Sequence, residues 1–320
     1  MFESEFETNP SGDDLCIEDH QVFGNGFFQN NPAFLSRLNL RDSSRLVNQH
    51  LEFRQSLARY ENSFVWNTVT GSGFCGATHP GAAKVFNSIA TAAYGISNSD
   101  CLYVNPSERV FAVSDAPEAS GYSRALLTYI DTSLRDRRRD LANVINAADS
   151  AIGADDHATL SLLHIPGEQM VNPLKAWAFI AGDTLLFRGN RFDSRLVRID
   201  DTPNFIGKSH GHCEPQGVDL AFGDFFVIAS DGIRDVRADD DETIEESLRD
   251  LLDVDDLYGS ALAIVRRCNR VIAESRFGRT ASYLGGHDNI SILLVYPERL
   301  PDCVRTGAAL LGGWTKLGEK

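Results

Sequence analysis

Four aspartates stand at the ends of apolar stretches of this sequence, where a carboxylate could be held rigidly. They are Asp115, Asp183, Asp231 and Asp288. The clearest case is Phe-Phe-Val-Ile-Ala at 225–229, which is typical of a buried strand and is followed by Ser-Asp-Gly at 230–232. Carboxylates fixed at strand ends are suitable ligands for a hard divalent cation. Because the four are far apart in sequence, we expect the fold to bring them together at one site.

Each of these aspartates also has a simpler interpretation as a turn residue. An Asp-Gly pair after a core strand is an ordinary turn, so the interpretation of Asp231 as a ligand depends on Asp115 and Asp288. Asp183 lies in Gly-Asp-Thr, where we expect a structural role or an indirect contact with metal rather than direct ligation. The pair Asp155-Asp156 could touch a further, loosely held metal, but a solvated loop is the better interpretation.

The elements that must position these residues occur in blocks. The predicted strands are 88–94, 101–104, 109–114, 158–165, 175–181, 185–188, 196–199, 225–229 and 290–296; the predicted helices are 123–134, a second one ending near 151, 242–253 and 257–276; residues 200–222 are predicted as loop. Helix pairs that separate runs of strands favour an α+β protein over a βαβ alternation. We therefore expect two packed antiparallel β-sheets flanked by helix pairs.

The sequence divides into three parts. Residues 1–83 are expected to form an N-terminal extension with a helix at 46–60 and a loop rich in Gly, Ser and Thr at 70–83. Several phenylalanines among its acidic and irregular residues indicate that this extension is docked rather than free. Residues 84–300 are expected to form the main domain, and 301–320 a polar C-terminal tail.

Composition argues against several classes of function. The chain has 320 residues, a net charge of −15 and a pI of about 4.9, whereas binding to nucleic acid or to anionic membranes needs basic patches. No run approaches the ~20 apolar residues of a membrane span, and the N-terminus lacks the apolar region of a signal peptide. The six cysteines are scattered without a CxxC pair, which indicates free thiols and a cytoplasmic location. The oligomeric state is left open.

Five short motifs follow one another in the order of a known family. They are Asn98-Ser99-Asp100, Val113-Ser114-Asp115-Ala116, Gly182-Asp183-Thr184, Ala229-Ser230-Asp231-Gly232 and Asp288-Asn289-Ile290-Ser291. Across roughly residues 84–297 the chain resembles the PPM, or type 2C, metal-dependent Ser/Thr protein phosphatases. The corresponding landmarks of that family are Asn-Glu-Asp, Asp-Gly-x-Gly-Gly, Gly-Asp-Ser, Ser-Asp-Gly and a terminal Asp-Asn before a strand. Each motif is short, but five in order make a specific signal.

The resemblance implies a β-sandwich that binds two Mg²⁺ or Mn²⁺ ions at one edge. It implies that Asp115 bridges both ions and that the backbone carbonyl of Ala116 serves the second. Asp231 and Asp288 would hold the first ion, and Asp100 would orient metal-bound water. The implied reaction is hydrolysis of phosphoserine or phosphothreonine in a phosphorylated protein substrate, by a water that the two ions activate and without a phosphoenzyme.

The sequence departs from the family pattern at two important places. Gly-x-Gly-Gly is replaced by Ala-Pro-Glu-Ala at 116–119, where Pro117 removes a backbone donor and Glu118 is either an extra ligand or a repeller of phosphate. Ala116 fits the pattern provided that its φ is not positive. The phosphate-binding Arg of the family falls on Gly95, and Arg109 or Arg124 could replace it. A pseudophosphatase that acts in binding or regulation, and a phosphatase of small phosphorylated metabolites, therefore remain as alternatives.

Three further polar segments have ordinary interpretations. His210-Gly211-His212-Cys213 lacks a second pair of ligands and is interpreted as a loop. Arg135–Arg139 is interpreted as a solvated helix end, with docking of an acidic partner or of the chain's own acidic segment as the alternative. Asp239–Glu242 is interpreted as a solvated helix start, where acidic side chains are favourable.

Overall fold

The computed structural model of the protein describes twelve stretches of the chain. They are residues 51–56, 66–84, 98–117, 120–135, 140–152, 157–167, 174–199, 205–207, 213–237, 242–276, 279–301 and 308–314. The predictions for residues 1–50, the strand at 88–94, Gly95, Glu118 and Ala119, Asp136–Arg139, Asp155-Asp156, His210–His212 and Asp239–Asp241 fall outside these stretches.

Fifteen strands in the described residues form three antiparallel sheets. The strands are β1 Leu51–Ser56, β2 Trp66–Gly71, β3 Phe74–His79, β4 Asn98–Asn105, β5 Val110–Ser114, β6 Leu160–His164, β7 Lys175–Ala181, β8 Leu185–Asn190, β9 Asp193–Arg198, β10 Gln216–Asp219, β11 Asp224–Ala229, β12 Val271–Arg276, β13 Arg279–Leu284, β14 Ile290–Val295 and β15 Ala309–Trp314. One sheet has the order β1-β2-β3-β14-β11-β8-β9, a second has β10-β7-β6-β5-β4-β15, and β12-β13 is a separate hairpin.

Four α-helices and two 3₁₀ helices complete the described elements. They are α1 Tyr122–Arg135, α2 Leu141–Ile152, α3 Ile244–Arg249, α4 Leu257–Cys268 and the 3₁₀ helices Asp231–Val236 and Pro297–Arg299. The helix pair α1–α2 lies against the six-stranded sheet, and α4 lies against β3 and β14 of the seven-stranded sheet. The expected α+β architecture, two packed antiparallel sheets with helix pairs outside them, is confirmed.

The core lies both between the sheets and beneath the helices. Along β11 the side chains alternate: Phe226 and Ile228 belong to the core between the sheets, whereas Val227 belongs to the core beneath α3 and α4. A strand that is buried on both faces needs apolar residues at every position, since successive side chains point to opposite faces. This is why the sequence shows continuous apolar runs at 225–229 in β11 and at 292–295 in β14 instead of an alternating pattern.

Two boundaries predicted from the sequence are wrong. β1 occupies part of the predicted helix 46–60, and β3 occupies part of the predicted loop 70–83. β3 is rich in small residues because the sheets approach closely there: a Cβ on Gly76 would lie 3.2 Å from the side chains of Leu102 and Leu293. Since β3 pairs with β14 along its whole length, residue 84 does not separate an extension from the sheets.

The C-terminal part of the chain differs from prediction in similar ways. β15 pairs with β4 where a polar tail was expected, and its register shifts at Gly312. The predicted helix 257–276 ends at Cys268, because the side-chain amide of Asn269 donates to the carbonyl of Val265 (2.9 Å) and ends the last turn. β12 and β13 follow, and β10 lies within the predicted loop 200–222.

Within the described ranges, every helix falls short of the length or the apolar character that crossing a bilayer requires.

Candidate active site

The sheet pairing brings the ends of distant strands to one edge of the sandwich. Asp231 directly follows β11, and Asp288 precedes β14, the antiparallel neighbour of β11 in which Ile292 faces Ala229. Asp115 follows β5, and Asp100 lies near the start of β4, the antiparallel neighbour of β5. The end of one strand therefore lies beside the beginning of the next, which places four carboxylates close enough for their charges to interact.

Burial and mutual repulsion raise the pKa of three of these carboxyl groups. The pKa of Asp231 rises to about 6, because of burial first and then the charges of Asp288 and Asp183. The pKa of Asp115 rises because of burial and because of the charges of Asp231 and Asp288. The pKa of Asp100, which is only 1% exposed, rises well above its ordinary value through burial and the charge of Asp115. Negative charge is thus concentrated at this edge.

Asp115 is held by a set of hydrogen bonds to the start of β6. Its amide donates to the hydroxyl of Thr159 (2.9 Å), and its carbonyl accepts from the Thr159 amide (2.7 Å). The hydroxyl of the buried Ser114 donates to the Thr159 carbonyl (2.6 Å). Among the described non-glycine residues, a positive φ occurs only at Arg109, so Ala116 meets the condition set by the family pattern. Ala116 itself is buried.

Asp231 is positioned by a tight approach between two loops. The amide of Ser230 donates to the carbonyl of Ser291 (2.9 Å), and the amide of Ser291 donates to the hydroxyl of Ser230 (2.9 Å). A Cβ on Gly232 would lie only 2.0 Å from the carbonyl oxygen of Asn289. Ser-Asp-Gly therefore needs its glycine for close packing against the Asp-Asn segment, which explains why these two motifs occur together.

Asn289 connects the loops that surround the carboxylates. Its side-chain oxygen accepts from the amide (2.9 Å) and the hydroxyl (2.8 Å) of Ser99, and its side-chain nitrogen donates to the carbonyl of Pro80 (3.0 Å). The hydroxyl of Ser123 in α1 donates to the carbonyl of Ser99. The residue after Asp288 thus ties β14 to β4 and to the segment that follows β3.

Lys84 is a cation at this site that the sequence reasoning missed. Its ammonium lies 3.1 Å from a carboxylate oxygen of Asp288 and 3.3 Å from the side-chain oxygen of Asn289, and its side chain is only 17% exposed. Lys84 reaches the site because the amide of Ala82 donates to the side chain of Asn269 (2.7 Å) and that of Ala83 to the Gly285 carbonyl (3.1 Å). Lys84 lies five residues after the end of β3, the strand that pairs with β14, and this position is the signal that could have revealed it.

The two arginines considered as replacements for the family's Arg contact the C-terminal part of the chain. A guanidinium nitrogen of Arg124, which is buried in α1, donates to the carbonyl of Gly312 (2.7 Å). A guanidinium nitrogen of Arg109 donates to the carbonyl of Pro301 (2.8 Å). These contacts are structural. Lys84 forms an ion pair with Asp288, and the charges of Arg234 and Lys84 both act to lower the pKa of Asp231.

The carboxylates suit a hard cation, although they are not arranged around one. Among the described residues, no three His, Cys, Asp or Glu side chains stand in a ready-made coordination arrangement. However, one oxygen each of Asp100 and Asp231 is buried and has no hydrogen-bond partner. Buried carboxylate oxygens need a donor or a cation, and an all-oxygen set suits Mg²⁺ or Mn²⁺ rather than zinc. The chemistry of these donors therefore fits a divalent metal ion.

Structural comparison identifies the fold. The chain is similar to the photosystem II phosphatase PBCP, at 15% identity, 71% coverage of this chain, 98% coverage of that chain and a TM-score of 0.50. It is also similar to PppA, described as a key regulatory component of T6SS in Pseudomonas aeruginosa (19% identity; 72% and 99% coverage; TM-score 0.49). A third similar structure is the catalytic domain of the serine threonine protein phosphatase PstP in complex with two manganese ions (15%; 74% and 97%; TM-score 0.47).

The similarity to the photosystem II phosphatase, at a TM-score of 0.50, establishes the class of fold. The protein has the fold of the PPM, or type 2C, phosphatases, as the sequence motifs predicted. No protein-family model matches the sequence, and no curated protein matches it in sequence.

Proposed function

We propose that the protein hydrolyses phosphoserine or phosphothreonine in protein substrates with the help of two Mg²⁺ or Mn²⁺ ions. The observation that carries the proposal is the convergence of Asp100, Asp115, Asp231 and Asp288, with buried oxygens that lack a partner, at one edge of a type 2C phosphatase fold. Asp115, Asp231, Asp288 and the carbonyl of Ala116 would hold the metal. Bound metal would lower the pKa of water and neutralise charge on the phosphoryl group.

The chain's own residues have separate tasks in this proposal. Asp100 lies near enough to Asp115 for the two charges to interact, and burial and the charge of Asp115 raise the pKa of Asp100. In this position Asp100 would orient metal-bound water. Asn289 and Thr159 hold the two loops at a constant separation through the hydrogen bonds described above.

Lys84 supplies the positive charge that the missing arginine would otherwise bring. Its ammonium lies beside Asp288, at the rim of the carboxylate group, where it can attract a substrate phosphate. Lysine binds phosphate as a compact point charge, whereas arginine binds it through two parallel hydrogen bonds. The replacement therefore preserves the attraction for phosphate and gives up part of the geometric selectivity.

The direct test is phosphatase activity of the full chain. With Mn²⁺, the protein should release phosphate from p-nitrophenyl phosphate and from phosphoserine or phosphothreonine peptides, and EDTA should abolish the release. Asp231→Asn should remove the activity, whereas Asp193→Asn, at an exposed hairpin aspartate, should leave it unchanged. Turnover that survives Asp231→Asn would contradict the proposed site.

A pseudophosphatase is the second candidate, because specific observations favour it. Pro117 stands where the family has a flexible, glycine-rich segment, and the ammonium of Lys84 already pairs with Asp288. Metal binding without turnover of any phosphopeptide would support this function. Faster turnover of small phosphorylated metabolites than of phosphopeptides would instead support the third candidate, a metabolite phosphatase.

The proposed setting of the reaction is the cytoplasm, with a phosphorylated protein as partner and without nucleic acid or membrane. The four described cysteines Cys75, Cys101, Cys213 and Cys268 are buried and form no disulfide, which supports a reducing compartment. Burial raises the pKa of the Cys213 thiol to about 11, which disfavours the thiolate that a metal ion would need. Cys213 therefore does not support a metal site in the His-x-His-Cys segment.

A further inference from the structure

Five large apolar side chains are exposed in the described residues, and two of them are in contact with each other. The five are Leu174, Trp177, Phe192, Val197 and Phe222. The two most exposed, Phe192 (69%) and Phe222 (74%), stack on each other with ring centroids 5.8 Å apart and ring planes 18° apart. The guanidinium of Arg191 lies 5.4 Å from the centre of the Phe192 ring. We call Arg191, Phe192 and Phe222 the aromatic corner.

The conformation of the aromatic corner is fixed by hydrogen bonds. The side-chain amide of Asn190 donates to the carbonyl of Phe222 (2.9 Å) and its oxygen accepts from the amide of Phe192 (3.0 Å). The amide of Arg191 donates to the carbonyl of Gly223 (2.9 Å). Gly223 has φ +85, and a Cβ there would lie 2.7 Å from the Phe192 ring. Two exposed aromatic rings held in one geometry are typical of a binding surface, because little entropy is lost on binding.

Exposed arginines stand beside the aromatic corner on β9. In the β8–β9 hairpin, residues 185–198, Arg188 is paired with Asp224 (2.6 Å) and Arg191 with Asp255 (3.7 Å), whereas Arg195 and Arg198 present their side chains to solvent. Aromatic and arginine side chains together are the residues that most often anchor protein interfaces. An acidic, aromatic or apolar segment is the occupant whose chemistry matches this surface.

The aromatic corner lies at the opposite end of the sandwich from the carboxylates. β11 begins at Asp224, beside Phe222, and its far end leads into Asp231. The seven residue steps from Asp224 to Asp231 span about 23 Å at about 3.3 Å per step. A segment bound at the aromatic corner would therefore leave the carboxylate site accessible, and its binding would not depend on catalytic activity.

We propose that residues 1–36 of this same chain dock on the aromatic corner. These residues include seven aspartates and glutamates, six phenylalanines and no lysine or arginine, so they complement the corner in both charge and apolar character. The linking residues 37–50 can extend to about 46 Å at about 3.3 Å per residue. From β1 to β9 the seven-stranded sheet has six strand spacings of about 4.8 Å, or about 29 Å. The segment therefore reaches the corner.

Hydrogen–deuterium exchange of the full chain tests this docking. In the wild type, amides within residues 1–36 should be protected, and the variant Phe192→Ser/Phe222→Ser should exchange them about tenfold faster, because the anchoring rings are lost. Leu174→Ser, at a 51% exposed apolar residue that is not part of the aromatic corner, is the matched control and should leave the exchange unchanged. Since all three side chains are half-exposed or more, the variants should keep the wild-type melting temperature.

Charge reversal identifies the occupant. Changing Glu3, Glu5 and Glu7 to Lys should speed the exchange of residues 1–36, and adding Arg195→Glu and Arg198→Glu to that variant should restore protection. Three results would overturn the proposal: equal exchange in wild type and the double serine variant, no restoration by the second set of charge changes, or protection that appears only at concentrations where the protein dimerises. The last result would assign the corner to a second copy, and an unprotected segment would assign it to another acidic partner.

Discussion

Replacing Asp231 by asparagine should stabilise the protein in the absence of metal, even though it should abolish metal binding. Burial and the charges of Asp288 and Asp183 raise the pKa of Asp231 from 3.8 to about 6. A difference of ~2 pH units corresponds to about 3 kcal/mol at 1.36 kcal/mol per unit. Because Asp231 is only partly buried, solvent screening reduces this to about 1–2 kcal/mol. Asparagine has the same shape without the charge, so this repulsion disappears.

The measurement is thermal unfolding with EDTA and with Mn²⁺. In EDTA at pH 7.5, Asp231→Asn should raise the melting temperature by about 2–5 °C. The gain should vanish near pH 4, since a carboxyl with a raised pKa destabilises the fold only where the unfolded state is ionised. Mn²⁺ should stabilise the wild type and have no effect on the variant.

Asp224→Asn is the matched control, because Asp224 opens the same strand, β11, that Asp231 follows. Its carboxylate is buried and accepts from Arg188 at 2.6 Å and from the amide of Ala221 at 2.7 Å. Removing this charge should lower the free energy of unfolding by about 3 kcal/mol and therefore lower the melting temperature. The account of the site is refuted if Asp231→Asn is also destabilising in EDTA, or if it still responds to Mn²⁺.

Two further predictions concern the surroundings of the site, and a third concerns a partly buried histidine at the opposite end of β6. Lys84→Met should raise KM for a phosphopeptide by about tenfold, because a cation that attracts the phosphate is lost. Lys175→Met, at an exposed lysine 3.8 Å from Asp219, is the control and should leave KM unchanged. Equal steady-state kinetics for the two variants would contradict the role of Lys84. Gly232→Ala should cost about 2–4 kcal/mol in urea unfolding, because its Cβ would meet the Asn289 carbonyl; an unchanged midpoint would disprove the close approach. Burial lowers the pKa of His164 to about 4. Between pH 6.5 and 4 the unfolded chain therefore binds a proton that the folded protein does not, and the free energy of unfolding should fall by up to about 1.4 kcal/mol per pH unit as the pH is lowered. His164→Gln should flatten that slope.

The strands that carry the aspartates could be predicted because they are buried on both faces. β5 and β11 show continuous apolar runs followed by Ser-Asp, and β14 has an apolar run at 292–295 shortly after Asp288; these signals are local. The helix predicted at 123–134 is found at Tyr122–Arg135 for the same reason, since apolar spacing along a helix is read within a few turns. The order of these elements was sufficient to predict two packed antiparallel sheets.

The errors occur where distant parts of the chain decide the local structure. β3 is a strand because it pairs with β14, more than 200 residues later, and Gly76 is small because Leu102 and Leu293 approach it from other strands. β15 likewise exists through its pairing with β4, although its Gly-Gly pair resembles a tail. Local propensity is weak in such segments, and tertiary pairing overrides it.

By itself, the sequence determined the strand ends that hold Asp115, Asp231 and Asp288, since hydrophobic runs and turn residues are short-range signals. Only the tertiary structure decided that the charges of Asp231 and Asp288 raise the pKa of Asp115 and that Lys84 lies 3.1 Å from Asp288. The physical reason is that electrostatic energy depends on distance in space, whereas the sequence records only separation along the chain. Lys84 and Asp288 are 204 residues apart, and the pairing of β3 with β14 is what brings them together.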